Sequence, residues 1–331
     1  MTEHVSRRTF VKGVAGMAGA IAIGGCAGGA MQSVSSAGSR ESSGVSVWND
    51  RMGLELFTVR DEISKDFEGT LAQVASAGYR EVEPTTYGSL TPKQVRAVFD
   101  RLGLTAPSTH VNLVPGPDLE RQLAGFQEMG HRYASVGGPR PPQGAPGAPR
   151  PTGLTGPRGP AAPQTVDGVK RQAEMHNEVG AAGRPYGVKV LIHNHTGEFQ
   201  PFTDGSPIPY DVLFANTDPA VVVFQLDIGW ARVAGQDILG LFAQHPHRFP
   251  LWHVKDMADL AATSRLANQG ERQRAAKIVP VGLGEIDYRP IFARAADAGL
   301  EHYCIEQDTA PETGSLAAMR LSAQNLRRVL G

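Results

Sequence analysis

The sequence predicts an α/β chain that closes as a single-domain (β/α)8 barrel. Short β-branched and aromatic runs alternate with amphipathic stretches about eight times, at spacings of roughly 25 to 40 residues, which is the signature of parallel strands joined by crossover helices. Four apolar runs end abruptly in His, Asp or Glu, at what would be the carboxyl ends of strands, the face on which such barrels carry their sites. The segment after the first strand, Leu56-Phe57-Thr58-Val59-Arg60, lacks the glycines of a phosphate-binding turn, which argues against an open doubly wound sheet.

Taken in order, Gly53 to Phe57 reads as the first strand. Phe67 to Ala77 is an amphipathic helix closed by Gly78. Arg80 to Pro84 is a short second strand ended by proline, and Thr91-Pro92 opens a helix with an N-cap and a first-turn proline. Leu104 to His110, Leu119 to Met129 and Tyr133 to Val136 supply the next strand, helix and strand. A helix from Thr165 to about Gly183 leads into the strand Val188 to His193, and Tyr210 to Asn216 into the strand Val221 to Asp227. Ile238 to Gln244 leads into the strand that ends at His253. Met257 to Lys277 is charged and Ala-rich and reads as a helical excursion. A turn-rich connector, Val281 to Asp287, and a helix to Gly299 precede the strand ending at Glu306 and a last helix, Leu316 to Leu330.

Two stretches stand outside this pattern. Ser6-Arg7-Arg8-Thr9-Phe10-Val11-Lys12 followed by the small-residue run Gly13 to Gly25 resembles a bacterial twin-arginine export signal. The run is too short and Gly-rich for a membrane span, which needs about 20 strongly apolar residues. Ile23-Gly24-Gly25-Cys26 resembles a lipobox, with cleavage near an incidental Cys26 as the alternative. The expected organisation is a signal at 1–26, a flexible tether at 27–50 and the barrel at 51–331, in or at the cell envelope. Residues 137–165, rich in Pro and Gly, read as a loop insertion that builds no core. If Cys26 is lipidated, Cys304 stands alone and no internal disulfide forms. Lys+Arg 32 against Asp+Glu 33 gives a net charge of −1, which argues against a nucleic-acid binder.

The chemistry lies at the strand ends. Val190-Leu191-Ile192 opens into His193-Asn194-His195, Phe224-Gln225-Leu226 ends in Asp227, Leu251-Trp252 ends in His253, and Cys304-Ile305 ends in Glu306. In a closed barrel these ends converge. Two imidazoles and two carboxylates suit one divalent ion, Mn²⁺, Co²⁺, Fe²⁺ or Zn²⁺, so His193, Asp227, His253 and Glu306 are the expected ligands. A lone strand-end His or Asp is more often a hydrogen-bonded structural residue; the coincidence of four shifts the balance. Glu306 is the leading general base, with Glu198 or His195 second. Lys255 lies two residues past His253, faces inward by alternation, and would stabilise an enediolate oxygen. Glu83, His110 and Asp308 are expected to contact substrate. Trp230 reads either as a sugar-stacking face or as a packed aromatic.

The motifs Leu54 to Asp61, Ala106-Pro107-Ser108-Thr109-His110-Val111, His193-Asn194-His195, Leu226-Asp227, His253-Val254-Lys255-Asp256, Gly282 to Asp287 and Ile305-Glu306-Gln307-Asp308 together resemble the sugar phosphate isomerase/epimerase superfamily, the xylose isomerase-like barrels. The resemblance runs from about Met52 to Leu330 and extends to exported members. It implies one divalent ion held by Glu, Asp, His and Glu. Asp227, His253 and Glu306 match three of these, and His193 stands where the epimerases place a Glu. Those epimerases use two metal-bound glutamates on opposite faces of the substrate. With Glu306 alone, the resemblance implies one-base proton abstraction α to a carbonyl. The expected function is a sugar isomerase/epimerase-type enzyme acting on an unphosphorylated sugar or keto-sugar. The alternatives are metal-dependent β-elimination of 3-keto-glycosides, made by a partner oxidoreductase, and a non-catalytic carbohydrate-binding barrel. Other expected partners are a second copy of the chain and, through the lipid anchor only, a membrane.

Overall fold

The computed structural model describes residues 46–137, 165–203, 207–309 and 311–331. The expected signal at 1–26, the lipobox and nearly all of the 137–165 insertion lie outside the described residues. Of the expected tether, Ser46 to Asp50 is described. It belongs to a short helical turn, Ser46–Arg51, whose Trp48 packs edge-on to Tyr303 and accepts the Tyr303 hydroxyl at its carbonyl, 2.8 Å away. The folded unit therefore begins a few residues earlier than the composition shift indicates.

The strands are β1 (Met52–Glu55), β2 (Glu81–Glu83), β3 (Ser108–Leu113), β4 (Tyr133–Val136), β5 (Lys189–His193), β6 (Val222–Asp227), β7 (Leu251–Val254), β8 (Asp256–Ala258), β9 (Lys277–Val279) and β10 (His302–Ile305). Eight form one sheet in the order β2-β1-β10-β7-β6-β5-β4-β3, every pair parallel. The ends of that order meet. Val82 N donates to Thr105 O (2.8 Å), Thr105 N to Arg80 O (3.0 Å) and His110 N to Pro84 O (2.9 Å), closing a single (β/α)8 barrel.

Local chemistry sets the helix ends as expected. Asp66 accepts from Gly69 N, Thr91 and Gln94 form a reciprocal capping box, and Thr165 accepts from Gly168 N. Gly103 ends its helix in the left-handed region, φ 66°, where a side chain would be strained. One expectation holds only in part. Met257 to Lys277 carries the short helices Leu260–Thr263 and Gln269–Ala275, but its two ends pair as antiparallel strands, β8 with β9. Charged, Ala-rich composition speaks for helix locally, whereas the pairing partners lie some twenty residues apart and leave no local signal.

The core lies between the outer face of the sheet and the helices. Trp252 of β7 stacks on Phe242 and meets Phe292 edge-on, and Phe224 of β6 stacks on Phe214. His131 is buried in this layer. Its Nδ1 donates to Ala106 O at 2.5 Å, so Nε2 accepts the Tyr87 hydroxyl at 2.6 Å. Burial pushes its pKa down to about 4. The folded pKa lies below the unfolded value near 6.5, so this stability is present above about pH 6.5 and is lost as pH falls toward 4. Between pH 7 and pH 5 the loss from this ring is about 2 kcal/mol. His131→Asn keeps a donor for Ala106 and removes the titration. Denaturant unfolding at the two pH values is expected to give a difference smaller by about that amount in the variant, and an unchanged difference would refute the assignment.

Candidate active site

Alternation along the strands builds the site in layers. Leu191 of β5, Val223 of β6 and Leu251 of β7 face inward and, with Tyr133, form a small apolar floor separate from the main core. Two residues further along, the same strands deliver His193, Gln225 and His253 to the interior, and two further again Asp227 and Lys255. On β1 and β10 the sequence steps likewise from Gly53 to Glu55 and from Cys304 to Glu306. Gly53 has no room for a side chain, since a Cβ there would lie 2.5 Å from Tyr303 O and 2.8 Å from Cys304 Sγ.

The four expected ligands converge. One atom each from His193, Asp227, His253 and Glu306 lies within 4.8 Å of the others. Asp227 Oδ1 accepts from Trp230 N at 2.7 Å, capping the short helix Ile228–Val233. That bond turns Oδ2 inward, 4.0 Å from both His193 Nε2 and His253 Nδ1, where it is buried without a hydrogen bond. Asn194 pins the neighbouring strand ends, accepting from Asp227 N and donating to Asp227 O.

Lys255 is not a solvated rim lysine. Its ammonium is fully buried, 2.9 Å from Asp227 Oδ2, 2.9 Å from Glu306 Oε2 and 2.6 Å from Asp308 Oδ2. Burial opposes its charge, but the three carboxylates hold its pKa well above the ordinary lysine value. The backbone fixes its direction: Lys255 N donates to the Tyr288 hydroxyl, which donates to Lys255 O. The next residue points the other way. Asp256 accepts from the backbone N–H groups of Met257, Gly282, Gly284 and Ile286 and holds the connector after β9.

His253 lies between carboxylates, Nδ1 2.7 Å from Glu306 Oε2 and Nε2 2.5 Å from Glu83 Oε2. Burial alone would keep this ring neutral; Glu55, Glu83 and Glu306 outweigh it and hold the imidazolium. Glu306 is buried too, yet Lys255 and His253 hold its carboxyl well below the usual range. Burial, with Glu306 next, pushes the Glu55 carboxyl the opposite way, well above its usual range. His193 is kept neutral by burial and by the neighbouring rings of His253, His195 and His110. Asp308 is raised to about 6 by burial and by Glu306.

Several expected roles need correction. Glu83 is fully buried and already engaged with His253 and with Gln225, so it is an internal strut rather than a substrate contact. Trp230 is 5% exposed and packs with Val233, Met257 and Leu260, which makes it a packed aromatic; its ring lies 5.1 Å from Lys255 Nζ. Glu198 accepts from His195 N at 2.7 Å, so its carboxylate is engaged in closing the turn after β5. His195 does reach the cluster, its ring 4.9 Å from that of His193. Burial, with Lys255 next, lowers its pKa to about 4, so it is neutral at pH 7. His110 is part-buried, with Nε2 2.7 Å from Gln225 Oε1. Glu55 and Gln225 also belong to the cluster and are not among the residues singled out from the sequence. Glu55 ends β1 with Oε2 3.3 Å from His253 Nδ1. Gln225 connects Glu83, His110 and His193.

This donor set fits a divalent cation. Nitrogen and oxygen donors converge, and Asp227 Oδ2 meets Lys255 Nζ as an ion pair without a well-aligned hydrogen bond, as do the other two carboxylates about that ammonium. His253 must be neutral to ligate, so uptake there would displace a proton.

A (β/α)8 barrel with a buried cluster of His, Asp and Glu at the carboxyl ends of its strands defines a class of single-site barrel proteins. Within that class, the chain matches the family described as xylose isomerase-like TIM barrel over residues 71–328, and it belongs to that family. Inosose dehydratase from Clostridium perfringens is 30% identical over 148 residues, covering 43% of this chain and 48% of that protein. The chain thus matches about half the length of such curated relatives. The structure of a sugar phosphate isomerase/epimerase from Parabacteroides distasonis superposes with a TM-score of 0.61 at 21% identity, covering 90% of this chain and 98% of that one. The structure of the IolI protein with a bound zinc atom gives 0.58 at 14% identity, covering 85% and 98%. These likenesses show the fold.

Proposed function

We propose that the chain is a divalent-metal-dependent enzyme that removes the proton α to the carbonyl of an unphosphorylated keto-sugar, 3-keto-glycoside or inosose and completes a β-elimination. The convergence of one ligand atom each from His193, Asp227, His253 and Glu306 to within 4.8 Å of one another carries the reading. The relatives named as dehydratases, matched over about half their length or less, favour elimination. His193, Asp227, His253 and Glu306 would hold the ion, whose contribution when bound is Lewis-acid polarisation of the carbonyl.

Glu306 takes the α-proton through a carboxylate that Lys255 and His253 keep ionised. The ammonium of Lys255 lies 2.9 Å from that carboxylate and balances the negative charge that develops on the substrate oxygen. The β-hydroxyl, or the aglycone oxygen of a glycoside, then leaves with the proton returned by Glu306, so the substrate loses water or an alcohol and one group serves as base and acid. His110, His193, His195 and Asp308, the partly exposed members of the site, line the side open to substrate. A second reading, aldose–ketose isomerisation, uses the same steps up to the enolate and returns the proton to the adjacent carbon. Export by the twin-arginine route, with a lipid anchor at Cys26, belongs with this proposal, since phosphorylated sugars are mostly confined to the cytoplasm.

Metal analysis of the purified protein, followed by NMR of candidate ketones in D₂O, tests the reading. One tightly held divalent ion per chain, deuterium at the α-carbon and loss of the β-substituent are expected. Exchange with a ketose product in place of elimination would establish the isomerase. Absence of both metal and exchange would leave only a carbohydrate-binding barrel.

A further inference from the structure

We infer that Gln225 is a positioning residue that selects the tautomer of His193 and so turns a bare Nε2 toward the metal-binding cluster. The inference rests on the metal-dependent reading above and adds a residue to it.

The chain of contacts starts at Glu83. Its two oxygens lie 2.8 Å and 3.0 Å from Gln225 Nε2, in a fully buried position at the end of β2. Whatever its protonation, a carboxyl group has at least one oxygen without a hydrogen, which would repel an amide oxygen at this distance, so the amide presents its NH₂ end to Glu83. The choice between the two amide orientations, ordinarily open, is thereby made by the chemistry of the partner. Gln225 Oε1 must then face the two rings. It lies 2.7 Å from His110 Nε2 and 3.0 Å from His193 Nδ1. An amide oxygen carries no hydrogen, so each of those nitrogens donates.

His193 therefore carries its hydrogen on Nδ1. In the neutral ring Nε2 then presents a lone pair, and this is the nitrogen 4.0 Å from Asp227 Oδ2. Free histidine in water prefers the hydrogen on Nε2. Without Gln225 the ring would return to that form and offer Asp227 a hydrogen bond in place of a ligand. The position requires an amide. Leucine would satisfy neither side, and a carboxylate would accept from His193 but repel Glu83. Gln225 lies two residues before Asp227 on β6, so the strand that supplies one ligand also orients another. Partners that orient a metal-ligating imidazole typically change metal affinity by about 10–100-fold when removed.

The test is ¹⁵N-edited NMR of the histidine rings in EDTA-treated protein, with zinc affinity measured by chelator competition. Metal-free wild type is expected to show His193 protonated on Nδ1. Gln225→Leu is expected to shift His193 toward the Nε2–H form and to weaken zinc binding about 10–100-fold. Gln225→Glu, which keeps the acceptor, is expected to retain the wild-type tautomer. A wild-type ring protonated on Nε2 would overturn the inference, as would a Gln225→Leu protein with unchanged tautomer and zinc affinity. The wild-type spectrum decides even if a variant fails to fold. Failure of the wild type to take up zinc would count against the metal-dependent reading, and the tautomer is read independently of it.

Discussion

Lys255→Met is expected to lower folding stability by about 3–5 kcal/mol and to abolish turnover, since removing one partner of a buried ion pair leaves the others uncompensated. The side chain is fully buried, and its ammonium is the shared neighbour of Asp227, Glu306 and Asp308. Methionine matches the volume of the stem but leaves up to three carboxylates facing one another in a low-dielectric interior. They would respond by binding protons, Asp308 first, since its pKa is already raised to about 6. The penalty should therefore shrink as the pH falls, and adding Asp308→Asn should recover part of it. Denaturant unfolding at pH 8 and pH 5 measures both effects. A loss under about 1 kcal/mol at pH 8 would mean that the lysine is dispensable to the buried charge balance.

Glu306→Gln separates chemistry from architecture. The amide oxygen can still accept from His253 and Lys255, but the group can no longer take a proton. Loss of a general base typically costs about 10²–10⁴ in rate, so kcat and solvent deuterium exchange into the substrate should both fall by that factor, with a smaller change in KM. Exchange within tenfold of wild type would remove Glu306 from the base position. His195, whose ring adjoins that of His193, would become the candidate.

Much of this architecture is legible in the residues. Alternation of strand and helix patterns leads to the barrel, and the abrupt polar ends of β5, β6, β7 and β10 lead to His193, Asp227, His253 and Glu306, because parallel strands in a closed barrel must end at one rim. The inward direction of Lys255 follows from period two. Glu55 is hidden by a boundary: the apolar residues continue through Leu56 and Phe57, so Glu55 reads as mid-strand, whereas β1 ends there. Gln225 carries a signal that goes unread. It is a lone polar residue in an apolar strand, in phase with Asp227, and that combination points into the barrel. Glu198 and Trp230 are set by other means: one is turned by the geometry of a loop, the other takes the packed one of its two open readings, under β8, and neither direction is encoded in a strand period.

The barrel closes between β2 and the segment entering β3 through a few main-chain bonds, in place of a long ladder. Glu83 stands at the end of β2, on one side of that seam, and reaches across the interior to Gln225 on β6 and His253 on β7; His110 of β3, on the other side, meets the same Gln225. The polar residues gathered for chemistry thus also brace the thinnest part of the wall. Local opening in folded proteins begins where ordered contacts are fewest. In this barrel that place borders the site itself, so the contacts of Glu83 and His110 with Gln225 and His253 tie the seam to the ligand cluster.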